Sequence, residues 1–234
     1  MARSFLISLA VLALSSCAAE KGNTNVVSQQ REVASFSKVS IGSGIHATIT
    51  KGATSVKVIT DENLQVFVES VVRDDTLFVD VAKKVALDPT GELVALVTND
   101  VLAGLSASGG ARVLADATPA DQWPLSATGG SNINLSGLQT PQLTLDASGG
   151  SIVQAFGSAT SVTATGSGGS QVLTEGVDAE NFTLEASGGS IFHVRATKSA
   201  QGNASGGSTL VVSGHPAVRA INYTADCQLT WAAE

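Results

Sequence analysis

The stretch Leu145-Asp146-Ala147-Ser148-Gly149-Gly150-Ser151-Ile152-Val153-Gln154-Ala155 decides the fold, because close copies of it recur along the second half of the chain. A Gly-Gly doublet begins six times, and the steps between successive doublets are 20, 20, 19, 20 and 18 residues. A fixed period of this length is typical of stacked repeats, in which each unit buries its apolar face against its neighbours. The doublets are Gly109-Gly110, Gly129-Gly130, Gly149-Gly150, Gly168-Gly169, Gly188-Gly189 and Gly206-Gly207.

The residues around each doublet are also repeated. A small residue and a hydroxyl residue precede it, as Ala147 and Ser148 do, and a serine follows every doublet except the first. Apolar residues then recur three and five positions past the second glycine, as at Val153 and Ala155. Apolar positions two apart indicate strands. Each unit is therefore predicted to contain one strand, a glycine corner and a second strand.

Coils of about 20 residues predict an all-β, single-stranded parallel β-helix, or β-solenoid, with successive coils ~4.8 Å apart. Right-handed coiling is favoured because parallel crossover connections have this hand. The doublets are interpreted as structural corners, where the backbone needs positive φ. Phosphate binding is disfavoured because no helix pattern follows any doublet.

Composition divides the chain into five segments. Residues 33–104 alternate like strands without doublets, and Leu64, Val66 and Val68 form one such series. No linker-like stretch separates them from the repeats, so one continuous core is expected. The predicted segments are 1–16, a lipoprotein signal peptide; 17–32, a lipidated cysteine and flexible tether; 33–104, the N-terminal β-rich part of the solenoid; 105–214, the regular coils; and 215–234, a C-terminal cap whose Tyr223 and Trp231 cover the open end.

The N-terminus has the pattern of a targeting segment. Arg3 precedes an apolar run over residues 5–14, which is too short to span a membrane. Leu14-Ser15-Ser16-Cys17 follows and resembles a bacterial lipoprotein signal, which implies that Cys17 is lipidated; an ordinary secretory signal is the alternative. Because Ala18 is not Asp, the resemblance favours the outer membrane of a Gram-negative bacterium. The membrane would then be a partner through acyl chains at the N-terminus.

The charge and the cysteines exclude some classes of function. The net charge is −7, whereas a nucleic-acid-binding protein needs basic patches. With Cys17 acylated, Cys227 has no partner for an internal disulfide and is interpreted as a small buried residue.

Candidate chemistry is sparse. His46, His193 and His215 are not at metal-ligand spacing from one another, so no metal, cofactor or catalytic residue is predicted. Asp146 and Glu185 fall in one outward column, about 10 Å apart across one intervening coil. That separation suits an inverting glycosidase, but solvated surface charges are the favoured interpretation.

Four apolar residues fall in outward columns of the repeat, at Ile152, Leu173, Ile191 and Val211. Two interpretations stay open. Either the N-terminal half of the chain covers them, which is slightly favoured, or they form a contact patch for a partner.

A family resemblance rests on the N-terminal half together with the repeats. Its pattern is Val33-x-x-Phe36-x-x-Val39-x-Ile41-x-x-Gly44-x-x-Ala47-x-Ile49, then Gly52, Val56-x-Val58, Asn63-Leu64 and Asp75-x-Leu77-x-Val79. With the Ser-Gly-Gly-Ser coils, this resembles the bacterial auto-transporter adhesin head GIN domain family over about residues 33–215. The resemblance implies a secreted or lipid-anchored β-helical protein with no established catalytic site.

The sequence therefore predicts a non-catalytic, lipid-anchored protein of the bacterial envelope. Its adhesin-like β-helix would serve surface interaction or envelope structure, and its expected ligand is a surface protein or a glycan. Two alternatives stay open: a carbohydrate-active β-helix, which would be a glycan binder or a polysaccharide lyase or hydrolase, and a periplasmic sensor.

Overall fold

A computed structural model describes residues 19–232, so the predicted signal peptide and Cys17 lie outside the described residues. The described part is a parallel β-solenoid, which confirms the predicted fold class. One 3₁₀ helix spans Glu62–Phe67. The described strands are β1 (Glu20–Lys21), β2 (Val26–Arg31), β3 (Lys38–Ile41), β4 (His46–Lys51), β5 (Ser55–Asp61), β6 (Val68–Arg73), β7 (Thr76–Val81), β8 (Leu87–Asp88), β9 (Val94–Asn99), β10 (Leu105–Ala107), β11 (Arg112–Asp116), β12 (Gln122–Ala127), β13 (Asn132–Ala147), β14 (Ile152–Gly166), β15 (Gln171–Ala186), β16 (Ile191–Arg195), β17 (Ser199–Ala204), β18 (Thr209–Ser213), β19 (Val218–Tyr223) and β20 (Gln228–Trp231).

The glycine corners separate two long faces of the solenoid. We call them the upstream face, whose strands precede the doublets, and the downstream face, whose strands follow them. In the middle coils β13, β14 and β15 are long enough to continue around a third side, where 138–140 pair with 157–159 and these with 177–179. The repeat therefore sets both the corner and the register, since equivalent residues of successive coils lie side by side.

The core fills the space between these faces. On the upstream face Leu125 and Leu145 are 1% and 0% exposed, and on the downstream face Ile133 and Val153 are 0% exposed. Each fully buried aliphatic side chain contributes ~1.5–3 kcal/mol to the hydrophobic stabilisation. One buried cluster extends from Phe36 to Cys227, so the two halves of the chain share a core.

The corners show why glycine is repeated. Gly149 and Gly150 have φ of 64° and 76°, a left-handed conformation that L side chains rarely adopt. A Cβ on Gly149 would lie 3.2 Å from the backbone nitrogen of Gly129 in the preceding coil, whereas a Cβ on Gly150 would point into open space. The following Ser151 is buried and donates its hydroxyl to the carbonyl of Ala127 at 2.8 Å. The corner thus stacks directly on its neighbour, and the serine adds a second hydrogen bond to a carbonyl that already accepts the Ser148 amide.

The first coils do not stack in chain order. Strand β3 lies between β7 and β10, and β4 lies between β9 and β11, all in parallel register. The coil formed by β7 and β9 is therefore outside the coil formed by β3 and β4, although it comes later in the sequence. The chain inverts the order of its first two coils before the regular repeats begin.

Antiparallel strands and the 3₁₀ helix close this N-terminal end. Strand β6 pairs antiparallel with β7, β5 with β9, and β2 with β5. The prediction of a strand through Leu64, Val66 and Val68 is wrong for the first two residues, which lie in the 3₁₀ helix. That helix buries Leu64, which is 0% exposed, and leaves Val66 78% exposed.

The prediction of a flexible tether over 17–32 is wrong from Glu20 onward. Strand β1 pairs with β8, and β2 pairs along its whole length with β5. The buried carboxylate of Asp61 accepts hydrogen bonds from the Thr24 amide at 2.8 Å and from the amide and hydroxyl of Thr90 at 2.9 and 2.7 Å. The polar composition suggested flexibility, but the edge of β5 supplies partners for the backbone.

Residues 215–234, which were predicted to form a C-terminal cap, contain one further coil. Strands β19 and β20 continue the parallel stack on β17 and β18. Tyr223 is 55% exposed and Trp231 is half-buried. The residue pattern of the repeat is lost in 215–234. No further described coil packs on this side, so the inward positions of these two strands need not be small or aliphatic.

Candidate binding face

The downstream face presents two rows of outward side chains in continuous register. Its strands run β2, β5, β9, β4, β11, β13, β14, β15, β16, β18 and β20, which at ~4.8 Å spacing makes it ~48 Å long. Apolar, amide and basic side chains alternate along both rows. The first row is Val94, His46, Arg112, Asn132, Ile152, Gln171, Ile191, Thr209 and Gln228, and the second is Leu96, Thr48, Leu114, Asn134, Gln154, Leu173, His193, Val211 and Thr230.

The four outward apolar residues predicted from the sequence lie on this face. Ile152, Leu173, Ile191 and Val211 are each half-exposed. The interpretation that the N-terminal half covers them is wrong, because that half joins the end of the stack through the β3–β10 and β4–β11 pairings. Their sheet surface faces outward in the described part of the chain.

The most exposed apolar side chains of this face lie nearer its N-terminal end. Leu96 is 39% exposed and Leu114 is 58% exposed, on strands separated by β4. Phe156, at the margin of the face, is 40% exposed. The apolar surface therefore spans most of the length of the solenoid, and a sustained patch of this kind marks an interaction surface more often than an isolated residue does.

A shallow cleft of about 450 Å³ indents the same end of the face. His46 lies at its centre, with Nδ1 at 3.0 Å from Oε2 of Glu92 and Nε2 at 3.5 Å from Nη1 of Arg112. Leu114 and Asn132 line the side toward the regular coils. A second depression of similar volume adjoins it and shares His46 and Glu92.

The contacts of His46 favour one tautomer of its ring. Arginine can only donate, so Nε2 of His46 accepts the weak Arg112 contact and Nδ1 carries the proton that is donated to Glu92. Arg112 is exposed, and among the described residues this is its one polar side-chain contact. Its other N–H groups therefore face the cleft and can bind a carboxylate, a phosphate or a sugar hydroxyl.

The sequence carried a signal for half of this cluster. His46 follows Gly44 by two positions, and Arg112 follows Gly110 by two. Aligning Ser43-Gly44 with the first Gly-Gly doublet therefore puts His46 and Arg112 in one column of the repeat. Glu92 comes from the loop between β8 and β9, which has no period. Sequence reasoning missed the cluster because the inverted order of the first coils hides which loop reaches the cleft.

The middle coils of the upstream face are polar, whereas its two ends carry the exposed side chains of Val71, Phe78 and Val218. Thr144, Thr163 and Thr183 lie in one row in register. Asp146 and Glu185 lie in the next row with one strand between them, and both are exposed on the flat sheet. Asn203 donates to Glu185 at 2.8 Å, as expected for surface carboxylates.

The remaining candidate residues are apart from one another. His193 is half-exposed on the downstream face, and His215 is exposed in a turn with φ of 51°. Cys227 is 8% exposed, and the Thr224 hydroxyl lies 3.4 Å from its sulfur. Over residues 19–232 no group of three or more His, Cys, Asp or Glu side chains converges as metal ligands would. The same residues include no helix of the length and apolarity needed to cross a membrane.

Comparison with known proteins agrees with this architecture. A family model described as "putative auto-transporter adhesin, head GIN domain" matches residues 35–216. The chain belongs to this family. Membership confirms the resemblance seen in the sequence, and it suggests a protein of the bacterial surface or envelope.

Solved structures share the fold at low sequence identity. A putative adhesin from Bacteroides fragilis has a TM-score of 0.83 at 17% identity, covering 91% of this chain and 99% of its own. A putative lipid binding protein from Parabacteroides distasonis has a TM-score of 0.70 at 16% identity, covering 92% and 100%. A putative adhesin from Parabacteroides merdae has a TM-score of 0.66 at 16% identity, covering 91% and 99%. The comparison with curated proteins finds no match.

Proposed function

We propose that this protein is a non-catalytic, lipid-anchored protein of the bacterial envelope that binds surface partners through its downstream face. The observation that carries the proposal is the pair of outward rows in register, in which uncovered apolar residues recur and which include the cleft around His46 and Arg112. Stiff sheets with repeated side chains favour many weak contacts in parallel, which raises avidity without any deep pocket. The family description as an adhesin supports the same class of function.

The geometry of the candidate acids supports a non-catalytic role. A general acid needs a raised pKa, which burial in an apolar site provides. Asp146 and Glu185 are exposed on a flat sheet instead.

The proposed anchor fits the structure of the N-terminal segment. Only Ala18 and Ala19 separate Cys17 from β1, which pairs with β8 at the N-terminal end of the solenoid. Three extended residues reach only ~10 Å. An acylated Cys17 would therefore hold this end close to the membrane, with the length of the downstream face directed away from it.

A Cys17→Ser variant tests the anchor. The wild-type chain should incorporate labelled palmitate, whereas the variant should lose the label. Equal incorporation of palmitate by the two chains would contradict lipid anchoring at Cys17.

A matched pair of surface variants tests the binding face. Leu114→Lys places a charge in the downstream face, and Thr144→Lys places the same charge on the exposed upstream face. The probes are a printed glycan array and immobilised mucin, fibronectin and collagen. We expect wild type and Thr144→Lys to bind the same probe and Leu114→Lys to bind it at least 10-fold more weakly. Absence of binding to all probes, or equal binding by both variants, would contradict the proposal.

Glycan binding without catalysis is the more specific candidate within this proposal. The amides of Asn132 and Asn134 lie in the rows beside Arg112, and Gln154 extends them to the next coil. Amides and a cation next to exposed leucine suit a sugar ring with acidic substituents. If this candidate is correct, the Arg112→Gln variant should lose binding to acidic glycans and keep binding to neutral ones. The wild-type chain should then show no binding to probes that carry no glycan.

A further inference from the structure

The C-terminal end of the solenoid leaves its core open. In β18, Leu210 and Val212 are 0% and 1% exposed. The side chains stacked on them one coil later, Leu229 and Trp231, are only half-buried, and so is Ile221 on β19. Among the described residues nothing packs below them. The last coil covers the coil before it, but within the described residues no further repeat covers its own inward side chains.

The same end carries unpaired backbone groups. Strand β19 pairs with β17, and β20 pairs with β18, on one side only within residues 19–232. The amides of Val218 and Thr224 donate to carbonyls of the preceding coil, so the backbone N–H and C=O groups of the even-numbered residues of β19 point toward β17. The backbone groups of alternate residues in a strand point to opposite edges. The N–H and C=O groups of Arg219, Ile221 and Tyr223 therefore face the free edge, where they form a template for another strand.

The opposite end of another copy does not fit this edge. At the N-terminal end Val56 and Val58 of β5 belong to the core and are 0% exposed, and the outermost strands β2 and β6 run antiparallel to their neighbours. Head-to-tail stacking would therefore place the open C-terminal core of one copy against the closed N-terminal end of the next, which offers no matching core. The C-terminal end of a second copy offers the same open core and the same free edge.

We propose that two copies of this chain associate through their C-terminal ends about a two-fold axis, with β19 pairing antiparallel to β19 of the second copy. Such an interface is self-complementary and closes at two subunits rather than growing into a fibre. With the anchor at Cys17 proposed above, the two acylated ends would lie at opposite ends of the dimer. The pair would then bridge two facing membranes.

The direction of the backbone groups selects the register. Antiparallel residues exchange both hydrogen bonds only when both point to the shared edge. Ile221 opposite Ile221 of the second copy satisfies this condition and places Arg219 opposite Tyr223, so all three edge-facing residues pair. The two Arg219 side chains would then be separated by four residues of strand, or ~14 Å. Within each copy the Arg219 guanidinium already packs over Trp231, 4.7 Å from the ring centre. A guanidinium also packs favourably against a tyrosine ring, so the Tyr223 that lies opposite it in this register does not oppose the pairing.

Sedimentation velocity of the chain from Ala19, which contains every described strand, tests the association. Because only two short strands per copy take part, we expect dimer formation in the micromolar range, with dimer dominating by ~100 µM. Ile221→Lys adds a charge on the inward side of the edge and should leave a monomer, whereas Ala220→Lys adds the same charge on the outward side and should keep the dimer. Circular dichroism of both variants verifies that the solenoid is folded.

Cysteine cross-linking tests the register independently of the affinity. Hydrogen-bonded antiparallel residues have Cα atoms ~5.5 Å apart, a distance that suits a disulfide. Under mild oxidation Ile221→Cys should form a covalent dimer, and Ala220→Cys, like the parent with its buried Cys227, should not. A wild-type chain that remains monomeric at ~100 µM, or equal cross-linking at both positions, would overturn the proposal.

Discussion

The two ends of the solenoid differ in how far they shield the core from solvent. At the N-terminal end, antiparallel strands and a 3₁₀ helix close the core, and Leu64 is 0% exposed. At the C-terminal end the last coil repeats the parallel stack and leaves Ile221, Leu229 and Trp231 half-buried. The difference shows that one more parallel coil does not close a solenoid, because it exposes a new edge identical to the one it covers.

The first position of the corner also differs between the N-terminal coils and the regular coils. In the regular coils the first corner residue is glycine because its Cβ would meet the preceding coil. At the corner of the β3–β4 coil, on which the first doublet stacks, this position is Ser43, with φ of 48°, and its hydroxyl donates to the Asp80 carboxylate at 2.5 Å. A side chain is accommodated here because a hydrogen-bonding carboxylate, and not another glycine corner, lies on its outer side.

The largest expected effect comes from a matched pair of leucines, one at each end. Leu64→Ala should destabilise the protein by ~2–5 kcal/mol, because it opens a cavity under a closed cap. Leu229→Ala should cost about 1 kcal/mol or less, because its side chain is already half-exposed. Urea unfolding at low micromolar protein concentration measures both. Equal costs would show that the two ends are equally closed.

A reciprocal pair at the corners should have the next largest effect. Gly149→Ser forces a left-handed residue and crowds the Gly129 nitrogen, so we expect a loss of ~2–3 kcal/mol. Ser43→Gly relieves the same backbone strain and removes one hydrogen bond, so its net effect should stay within about 1 kcal/mol. Thermal unfolding of the two variants provides the measurement. A large loss from Ser43→Gly would mean that the Asp80 contact, and not the absence of a glycine corner on the outer side, determines the residue.

A pH-dependent effect confined to the N-terminal end should be smaller. The hydroxyl of Thr90, with the amides of Thr90 and Thr24, lowers the pKa of Asp61 although burial opposes this. A lowered folded pKa stabilises the docked segment above the unfolded value of ~3.9, and the contribution is lost as the pH falls through the folded pKa. Hydrogen-exchange protection of residues 20–31 should therefore fall in acid before that of the regular coils.

The Asp61→Asn variant is the control for this pH dependence. Its amide cannot accept all three hydrogen bonds, so residues 20–31 should exchange faster at neutral pH and show no further step in acid. Unchanged protection in the variant would mean that the β2–β5 pairing alone holds the segment.

The smallest effect is expected at the open end. Arg219 stacks over Trp231 on the last coil, and an exposed cation–π contact contributes ~0.5–1 kcal/mol. Arg219→Ala should lower the free energy of unfolding by that amount at concentrations where the chain is monomeric, as followed by urea unfolding. A cost similar to that of Leu64→Ala would show that the stack closes the core after all.

The regular coils were predictable residue by residue, whereas the two ends were not. The step between doublets fixes which residues are neighbours across coils, so the rows containing Asp146 and Glu185 or Ile152 and Ile191 follow from counting. The segment 20–31 has the same polar composition as a disordered tether, yet it pairs with β5. Local composition cannot reveal that partner, because it comes from a strand about 30 residues away whose free edge exists only in the folded end.

The candidate cleft illustrates the same limit. His46 and Arg112 share a column that the sequence contains, but Glu92 reaches them only because the coil of β7 and β9 lies outside the coil of β3 and β4. Chain order would place that coil next to β10 and β11. No local pattern marks the inversion, since both arrangements bury the same alternating residues.

The amino-acid sequence by itself determined the β-solenoid, its coil length, its corners and the outward rows, because a strict repeat converts spacing along the chain into contacts between coils. The tertiary structure alone decided the order of the first coils, the closing of one end, the open state of the other and the grouping of His46, Glu92 and Arg112. These features depend on which edges are left without partners after the repeats have stacked, and that is a property of the assembled sheet rather than of any one segment.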